Sequence, residues 1–249
     1  MSSVGGSDPP TLGVLASRGI TGLAYKSSQP TSVGSVTATV RSVNAGTLEQ
    51  VPGMRRPSAI RKHPVDRIEV RDPGPKRGGL GSGVVGDEIG SRKHHGGETQ
   101  AVYAVAREEM DWWGERLERD LVDGMFGENL TTVGLDVDAA EVGEQWRVGD
   151  TLLEVCGPRV PCATFAKHMA EPRWVRRFTE RGRTGAYLAV REPGSIAAGD
   201  PIEVVHRPGH GLTVPMLFRA AMGDKEIAAV FLQARVLPEV EHDWLASRQ

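Results

Sequence analysis

Residues 151–162 read TLLEVCGPRVPC, an apolar run that ends in a loop braced by two prolines. The first half has the composition of a buried strand. Pro158 and Pro161 fix φ on either side of Arg159, so the loop cannot continue as a helix. The segment therefore predicts a strand that presents Cys162 beside a cation, where a guanidinium and backbone N–H groups favour the thiolate. Thiolates attack electrophiles and bind soft metals.

Packing is the alternative interpretation of these cysteines. Free cysteine is among the most buried residue types, so spacing alone leaves open whether Cys162 is reactive or packed. Cys156 closes the apolar run, which favours packing. Two cysteines in 249 residues, without C-x-x-C spacing, argue against a disulfide framework and against a zinc or dithiol motif. This usage fits a reducing cytoplasm.

The charge balance limits the classes of partner. The net charge is −2, from 30 basic and 32 acidic residues, so no overall field favours nucleic acid or an anionic membrane. Small molecules are the expected partners. No apolar run approaches the ~20 residues that span a bilayer, and no secretory signal is expected at the N-terminus, because its apolar run is short. Residues 1–35 mix Ser, Gly, Thr and Pro without periodicity, which predicts a disordered tail or an over-extended gene start.

Short strand-like runs separated by glycine turns predict a fold that is mainly β with α additions. Several such strands with few helices favour a mainly antiparallel β-barrel over alternating βα units. The barrel is expected over residues 36–207. Helical spacing predicts one helix over 107–119, and another over 163–181 that Pro172 must break. The expected strands include 36–43, 65–70, 100–105, 152–156, 186–190 and 202–206.

The character of the sequence changes after residue 207. Thr213 and Asp224 are suitable N-caps, and Pro238 can open a further helix. The sequence thus predicts a small three-helix appendage over residues 208–249.

Several motifs carry weaker signals. Residues 81–86 match G-x-G-x-x-G, but no strand precedes them, so a flexible loop is the better interpretation. His94 and His95 precede a glycine pair that would let backbone approach a ligand, although solvated loop histidines are the simpler alternative. His206 and His210 have metal-ligand spacing, but the Pro–Gly pair between them prevents the helix that such a site needs.

Further candidates have polar side chains of the appropriate type. Ser58, Lys62 and Arg159 carry the donors that clamp phosphate, although unpaired basic residues usually face solvent. Glu128 and Asn129 follow a glycine, and their side chains either line a pocket or close a turn. The sequence shows no Ser-His-Asp order and no P-loop.

Nine short segments together resemble one known family in their order along the chain. They are 58–65, 86–87, 94–97, 101–103, 111–113, 126–130, 158–162, 184–187 and 199–200. The family is the MOSC domain, named after the C-terminal domain of molybdenum cofactor sulfurase, and the similarity is specifically to its YiiM-like subgroup. It covers about residues 36–207, and the tail from 210 to 239 resembles the three-helix extension of that subgroup.

The resemblance implies a strand-rich barrel and a cysteine that serves either as a molybdenum ligand or as a sulfur carrier. Cys162 matches that cysteine, and Cys156 stands where relatives often carry serine. Relatives such as the mitochondrial amidoxime-reducing component hold a molybdopterin cofactor, bind its metal through this thiolate, and reduce N-hydroxylated compounds. A soft thiolate suits such a metal.

The resemblance also implies roles for other residues. Arg159 and Lys62 match positions near the cofactor and are candidates for binding its phosphate, with Ser58 as a further candidate. His95 and Asn129 are candidates for orienting substrate or pterin. The segment 74–90 is longer and richer in glycine than the family pattern.

We therefore expect a cytoplasmic molybdenum-cofactor oxidoreductase that reduces N-hydroxylated bases or amidoximes. Electrons would come from an external flavin or iron–sulfur reductase, because the sequence shows no flavin, haem or iron–sulfur signature. One alternative is a sulfur carrier that uses a Cys162 persulfide; since no pyridoxal-phosphate domain is expected here, its sulfur would arrive from another protein. A second alternative is a cofactor-binding module without turnover. Both a monomer and a homodimer are compatible with the sequence.

Overall fold

The computed structural model describes residues 38–249, which belong to one compact unit. The predicted tail, 1–35, and the first residues of the strand predicted over 36–43 lie outside the described residues. The strands of the described part are β1 (Thr39–Ala45), β2 (His63–Val65), β3 (Arg67–Val70), β4 (Val102–Ala106), β5 (Leu130–Val133), β6 (Gln145–Val148), β7 (Thr151–Pro158), β8 (Ala186–Glu192), β9 (Gly194–Ala197) and β10 (Ile202–His206). Its helices are α1 (Arg107–Leu117), α2 (Ala163–Met169), α3 (Trp174–Arg181), α4 (Val214–Ala221), α5 (Lys225–Ala234) and α6 (Glu239–Ala246).

Eight of these strands form one mixed sheet. The strand order is β10-β6-β7-β8-β4-β5-β1-β2, and β3 pairs with β9 in a separate two-stranded sheet. Neighbouring strands are antiparallel except for β4 and β5, which are parallel. The predicted antiparallel character is therefore largely confirmed. The central strands β7, β8 and β4 bury side chains on both faces, which suits their apolar sequences.

The predicted closed barrel is not confirmed, because β10 and β2 are the outer strands of an open sheet. The start of β1 does approach β10: Thr39 bridges Pro201, and the Val40 N–H donates to the Asp200 carbonyl at 2.9 Å. Closure requires a continuous ladder between the outer strands, and none joins β1 to β10 within residues 38–249. With its helices, the chain has an α+β fold.

The helices begin and end close to the predicted positions. Thr213 and Asp224 are the N-caps of α4 and α5, and the Asp224 carboxylate accepts a hydrogen bond from the Ile227 N–H at 3.2 Å. Pro238 precedes α6. The helix predicted over 163–181 is broken near Pro172 into α2 and α3. Among the described residues no helix combines the length and apolar character needed to cross a membrane.

Three apolar clusters hold these elements together. One fills the interior of the main sheet, a second joins α1, α2 and α3, and a third lies among α4, α5 and α6. The second is rich in aromatic rings in edge and tilted contacts, including Trp113 with Trp174 at 4.6 Å between centroids. The third cluster reaches β7, since a Cβ on Gly157 would lie 3.3 Å from the Leu217 side chain. The predicted appendage thus packs against the strand that leads to Cys162.

Candidate active site

Cys162 lies at the junction of a strand and a helix, as the sequence predicted. Strand β7 ends at Pro158, and α2 begins at Ala163 with Cys162 as its N-cap in extended conformation, φ −123° and ψ 169°. The side chain is partly exposed, whereas Cys156 within β7 is buried. The intervening Pro–Arg–Val–Pro sequence cannot continue either element, so the thiol is held at the rim of the sheet.

The surroundings of Cys162 favour its thiolate. Burial raises the pKa of the thiol, but the neighbouring His95 imidazole, the Arg159 guanidinium and the Phe165 N–H together lower it to about 6. Burial and the nearby Glu154 carboxylate instead raise the pKa of Cys156 to about 12. Cys162 is therefore mainly ionised at neutral pH and Cys156 is not, which agrees with the predicted packing role of Cys156.

Arg159 is a buried cation without a carboxylate partner among the described residues. Its side chain is 6% exposed, and its guanidinium carbon lies 4.0 Å from the Phe165 ring centroid and 5.1 Å from that of Tyr103. One NH group donates to the Phe126 carbonyl at 2.6 Å. The buried Nε has no hydrogen-bond partner within residues 38–249. The nearby Cys162 thiolate offsets part of this buried charge. The unpaired Nε leaves a donor for a further anionic partner, so this arrangement favours an anionic ligand.

Lys62 has a different environment, because its ammonium pairs with the buried carboxylate of Asp87. Asp87 also accepts from the Ser82 hydroxyl at 2.8 Å, the Gly46 N–H at 2.8 Å and the Asn129 amide at 3.3 Å. Four separate segments thus converge on one carboxylate. The pair is close to neutral, so Lys62 contributes hydrogen-bonding capacity rather than net positive charge.

Asn129 and Glu128 hold the loop before β5. The Asn129 side-chain carbonyl accepts from the Tyr103 N–H at 3.2 Å, and its amide also donates to the Asn44 carbonyl at 3.2 Å. Burial raises the pKa of Glu128 to about 7, against the lowering effect of its hydrogen bonds from backbone N–H groups and Thr131. Glu128 therefore closes a turn, which is the second of the two interpretations that the sequence left open. The same turn contains Phe126, whose carbonyl accepts the hydrogen bond from Arg159.

His95 lies on a tight loop. The His95 N–H donates to the Ser91 carbonyl at 3.0 Å, and Gly96 follows with φ of 81°. A Cβ on Gly96 would lie 2.6 Å from the Gly81 carbonyl oxygen, so this position requires glycine. The close approach of the two loops places the His95 ring beside Cys162.

All six candidate residues line one cavity of about 290 Å³. We call it the first cavity; its candidates are Ser58, Lys62, His95, Asn129, Arg159 and Cys162. Ser58 is buried, and its hydroxyl oxygen accepts from the Ile60 N–H at 3.3 Å. These six residues come from segments far apart in the chain, and the fold brings them to one cavity.

A second cavity, of about 490 Å³, adjoins the first and is also lined by Cys162. Cys162, His95 and Tyr187 line both cavities. The second cavity also receives side chains from α6, among them Glu241 and Trp244. Cys162 therefore lines two adjoining cavities, and the C-terminal helices contribute side chains to the second.

Sequence reasoning missed several residues of this site. Ser82 lies within the G-x-G-x-x-G segment, and Asp87 follows it. The sequence predicts a flexible loop here. In the structure the segment has close neighbours, since a Cβ on Gly83 would lie 2.7 Å from the Ala101 Cβ. The loop is thus packed closely on Ala101, the residue that precedes β4. Asp87 could have been found from the sequence, because an acidic residue at the end of this loop is a possible partner for the Lys62 ammonium. Tyr103 and Tyr187, with ring centroids 4.9 Å apart, were noted only as parts of larger motifs.

The ionisation of Cys162 gives a direct prediction. In protein produced without molybdate, alkylation by iodoacetamide should rise with pH to half its maximal rate near the pKa of about 6. The thiol is protonated below that pH and becomes the reactive thiolate above it. His95→Ala should move the midpoint upward, because it removes a contribution that lowers the pKa. Peptide mass spectrometry would locate the label; a midpoint near that of free cysteine, about 8.5, would contradict this electrostatic account.

The fold and site together define an α+β protein with one activated thiol at two ligand-sized cavities. The MOSC domain model matches residues 91–203. YflK of Bacillus subtilis strain 168, described as uncharacterized, is 32% identical over 165 residues, or 65% of this chain and 73% of YflK. A Gibberella moniliformis protein named as a reductase is 37% identical over 131 residues, or 51% of this chain and 23% of that protein.

The fold is also shared with a solved structure. The crystal structure of YiiM from Geobacillus stearothermophilus aligns with 85% of this chain and 98% of its own, with a TM-score of 0.67 and 24% identity. The chain belongs to the MOSC domain family, in its YiiM-like subgroup. The resemblance stated from the sequence is confirmed.

Proposed function

We propose that this protein binds a molybdenum cofactor in the first cavity and, in the cytoplasm, reduces N-hydroxylated compounds. The observation that carries the proposal is the pairing of a thiolate, Cys162, with a buried cation, Arg159, that lacks a carboxylate partner among the described residues. The first group suits a soft metal, and the second suits a phosphate. Membership of the family supports the same cofactor.

The residues present fit such a group. The free Nε of Arg159 is a donor still to be satisfied, and phosphate oxygens would satisfy it. The hydroxyl group of Ser58 and the Lys62–Asp87 pair line the same cavity and supply further polar contacts for a pterin. Asn129 is already bonded to backbone and to Asp87, so its contribution would be to hold these groups in place.

The chain's own residues would then have distinct tasks. Cys162 would hold the metal through its thiolate, and His95 beside it would orient the substrate and exchange a proton with it. Tyr187, which lines both cavities, would form the wall between cofactor and substrate. When bound, the cofactor would supply the two-electron reduction.

The overall reaction must balance. An N-hydroxylated compound, two electrons and two protons yield the corresponding N–H compound and water. The electrons would come from a separate flavin or iron–sulfur reductase, as the sequence analysis predicts. The name of the Gibberella relative supports a reductase function for the family, although this chain spans only 23% of that protein.

A sulfur carrier is the second candidate, and one observation favours it. A partly exposed thiol with a pKa near 6 is also suited to accept sulfur as a persulfide. The low pKa of Cys162 thus serves either role. Mass spectrometry of the purified chain distinguishes them, since a persulfide adds the mass of one sulfur to Cys162.

Turnover by loaded protein tests the proposed reaction. Protein produced with molybdate in a cofactor-competent host should, when chemically reduced, convert benzamidoxime and N-hydroxylated bases to their reduced forms. The matched control is the same host without molybdate. Absence of turnover by molybdenum-loaded, reduced protein across these compounds would contradict the proposal.

A further inference from the structure

Three loops beside the cavities carry many cations and no carboxylate. They are residues 52–57, 74–81 and 90–97, and we call them together the cationic rim. The cationic rim contains six lysine and arginine residues and two histidines: Arg55, Arg56, Lys76, Arg77, Arg92, Lys93, His94 and His95. The whole chain has a net charge of −2, so this concentration of positive charge is a local feature.

The three loops touch one another. A Cβ on Gly90 would lie 3.0 Å from the Pro57 carbonyl oxygen, so the third loop packs on the first. An NH group of Arg92 donates to the Gly79 carbonyl at 3.5 Å, which joins the third loop to the second. The cationic rim is therefore one continuous surface built from segments that are separate in the sequence.

The six lysine and arginine side chains are available to a partner. Five are exposed, and Lys76 is half-buried. None of the six forms an ion pair with any residue from 38 to 249. Unpaired cations at this density repel one another, and an anionic surface would relieve that repulsion.

The carboxylates next to these loops in the sequence do not cancel the charge. Asp87 is paired with Lys62. Asp72 and Glu88 each accept a hydrogen bond from a backbone N–H, at 2.8 Å and 2.6 Å, and Glu98 is exposed. Three carboxylates thus stand against six cations, so the cationic rim has a net positive charge.

The cationic rim borders both cavities. Arg56 lines the first cavity and is exposed, so it lies at an opening of that cavity. Lys76 and His94 line the second cavity, and Ser91 lines both. A macromolecule docked on the cationic rim would therefore lie beside the cavity that we assign to the cofactor.

Exposed apolar side chains among these charges favour a protein partner. Leu80 is 53% exposed on the second loop. Leu48 is 45% exposed, and its side chain would lie 3.4 Å from a Cβ on Gly90. Protein interfaces combine apolar contacts with a polar rim and are enriched in arginine. The three loops contain no Phe, Trp or Tyr on which a nucleic-acid base could stack, and their cations are spread more widely than one small anion can contact.

We propose that the cationic rim is the docking surface for an acidic protein, the flavin or iron–sulfur reductase that supplies electrons to this site. Opposite charges accelerate the encounter of two proteins and fix their orientation. Here that orientation would bring the partner to the cavity openings. Describing the partner as the electron donor rests on the proposed function; the docking of an acidic protein does not.

Calorimetry with two acidic electron-transfer proteins, a flavodoxin and a plant-type ferredoxin, tests the docking. Native protein should bind at least one of them, and the affinity should fall as added salt screens the charges. Basic cytochrome c should not bind. Arg77→Glu combined with Lys93→Glu should weaken the binding at least about 10-fold, because the reversed charges repel an acidic surface. Both side chains lie outside the two cavity linings, so the fold should be retained, as thermal melting would verify.

The matched control is Arg173→Glu combined with Arg235→Glu. Both arginines are exposed and lie outside the cationic rim. This double variant changes the net charge by the same amount, and it should leave the affinity nearly unchanged.

Four results would each overturn the docking surface. They are failure of both acidic proteins to bind, an affinity indifferent to salt, equal weakening by the two double variants, and tighter binding of a single-stranded oligonucleotide that Arg77→Glu with Lys93→Glu abolishes.

Turnover separates the docking surface from the proposed reaction. With a chemical reductant, the molybdenum-loaded Arg77→Glu, Lys93→Glu variant should reduce benzamidoxime as fast as native protein. With the reduced acidic carrier that binds, it should be slower. If chemically reduced native protein gives no turnover while the carrier still binds through Arg77 and Lys93, the docking surface is supported and the reductase proposal fails. If turnover proceeds with the chemical reductant while neither acidic protein binds, the docking surface is overturned and the reductase proposal stands.

Discussion

Replacement of Cys162 by serine is expected to lower the rate of N-hydroxy reduction at least about 100-fold. Loss of an outer-shell partner of a metal ligand already costs about 10- to 100-fold, and this change removes the proposed ligand itself. A serine hydroxyl remains protonated at neutral pH and is a poor ligand for a soft metal. Steady-state assays of native and variant protein, produced under identical conditions with molybdate, would measure the loss.

The matched control is Cys156→Ser. Cys156 is 1% exposed, its thiol pKa is raised by burial, and it lies outside the first cavity lining. The variant should keep most of the activity. Equal activities of Cys162→Ser and native protein would show that the thiolate takes no part in the reaction.

Arg159→Met is expected to weaken retention of the cofactor about 10- to 100-fold, the range for losing a charged hydrogen bond to phosphate. Methionine keeps the length and the contacts with the rings of Tyr103 and Phe165. The change removes the donor to the Phe126 carbonyl, but it also removes a buried charge that has no carboxylate partner among the described residues, so the two effects on stability oppose each other. We expect the cofactor-free variant to remain folded.

Two measurements on the same variant separate binding from folding. Extraction and quantification of pterin per chain should show the loss, while thermal melting of cofactor-free protein should show a folded state. Full pterin occupancy in Arg159→Met would contradict the assignment of Arg159 to the phosphate.

The sequence predicted elements that depend on local chemistry. Asp224 marks a helix start because its carboxylate accepts from the Ile227 N–H, while Thr213 occupies the N-cap position of α4 without a side-chain cap bond. Pro172 interrupts a helix because it lacks an N–H group and its ring clashes with the preceding turn. Closure of a barrel is a different kind of property. It depends on pairing between β1 and β10 at opposite ends of the fold, which no local pattern encodes, and the described strands remain open.

The candidate site shows the same division. Arg159 and Cys162 could be found because prolines restrict the loop that contains both. A pairing of Asp87 with Lys62 was accessible from the sequence, but the Gly46 N–H and the Asn129 amide reach the same carboxylate from distant segments, and that convergence emerges only in the folded chain. Glu241 lies 142 residues from its partner Thr99, so its place in the second cavity emerges only from the folded chain.

The central claim is that Cys162 ligates molybdenum in the first cavity. Elemental mass spectrometry of protein purified from a cofactor-competent host with molybdate tests it directly, as molybdenum per chain in native protein and in Cys162→Ser. We predict near-stoichiometric metal in the native protein and little in the variant. A native protein without molybdenum, or a variant that retains it fully, would contradict the claim.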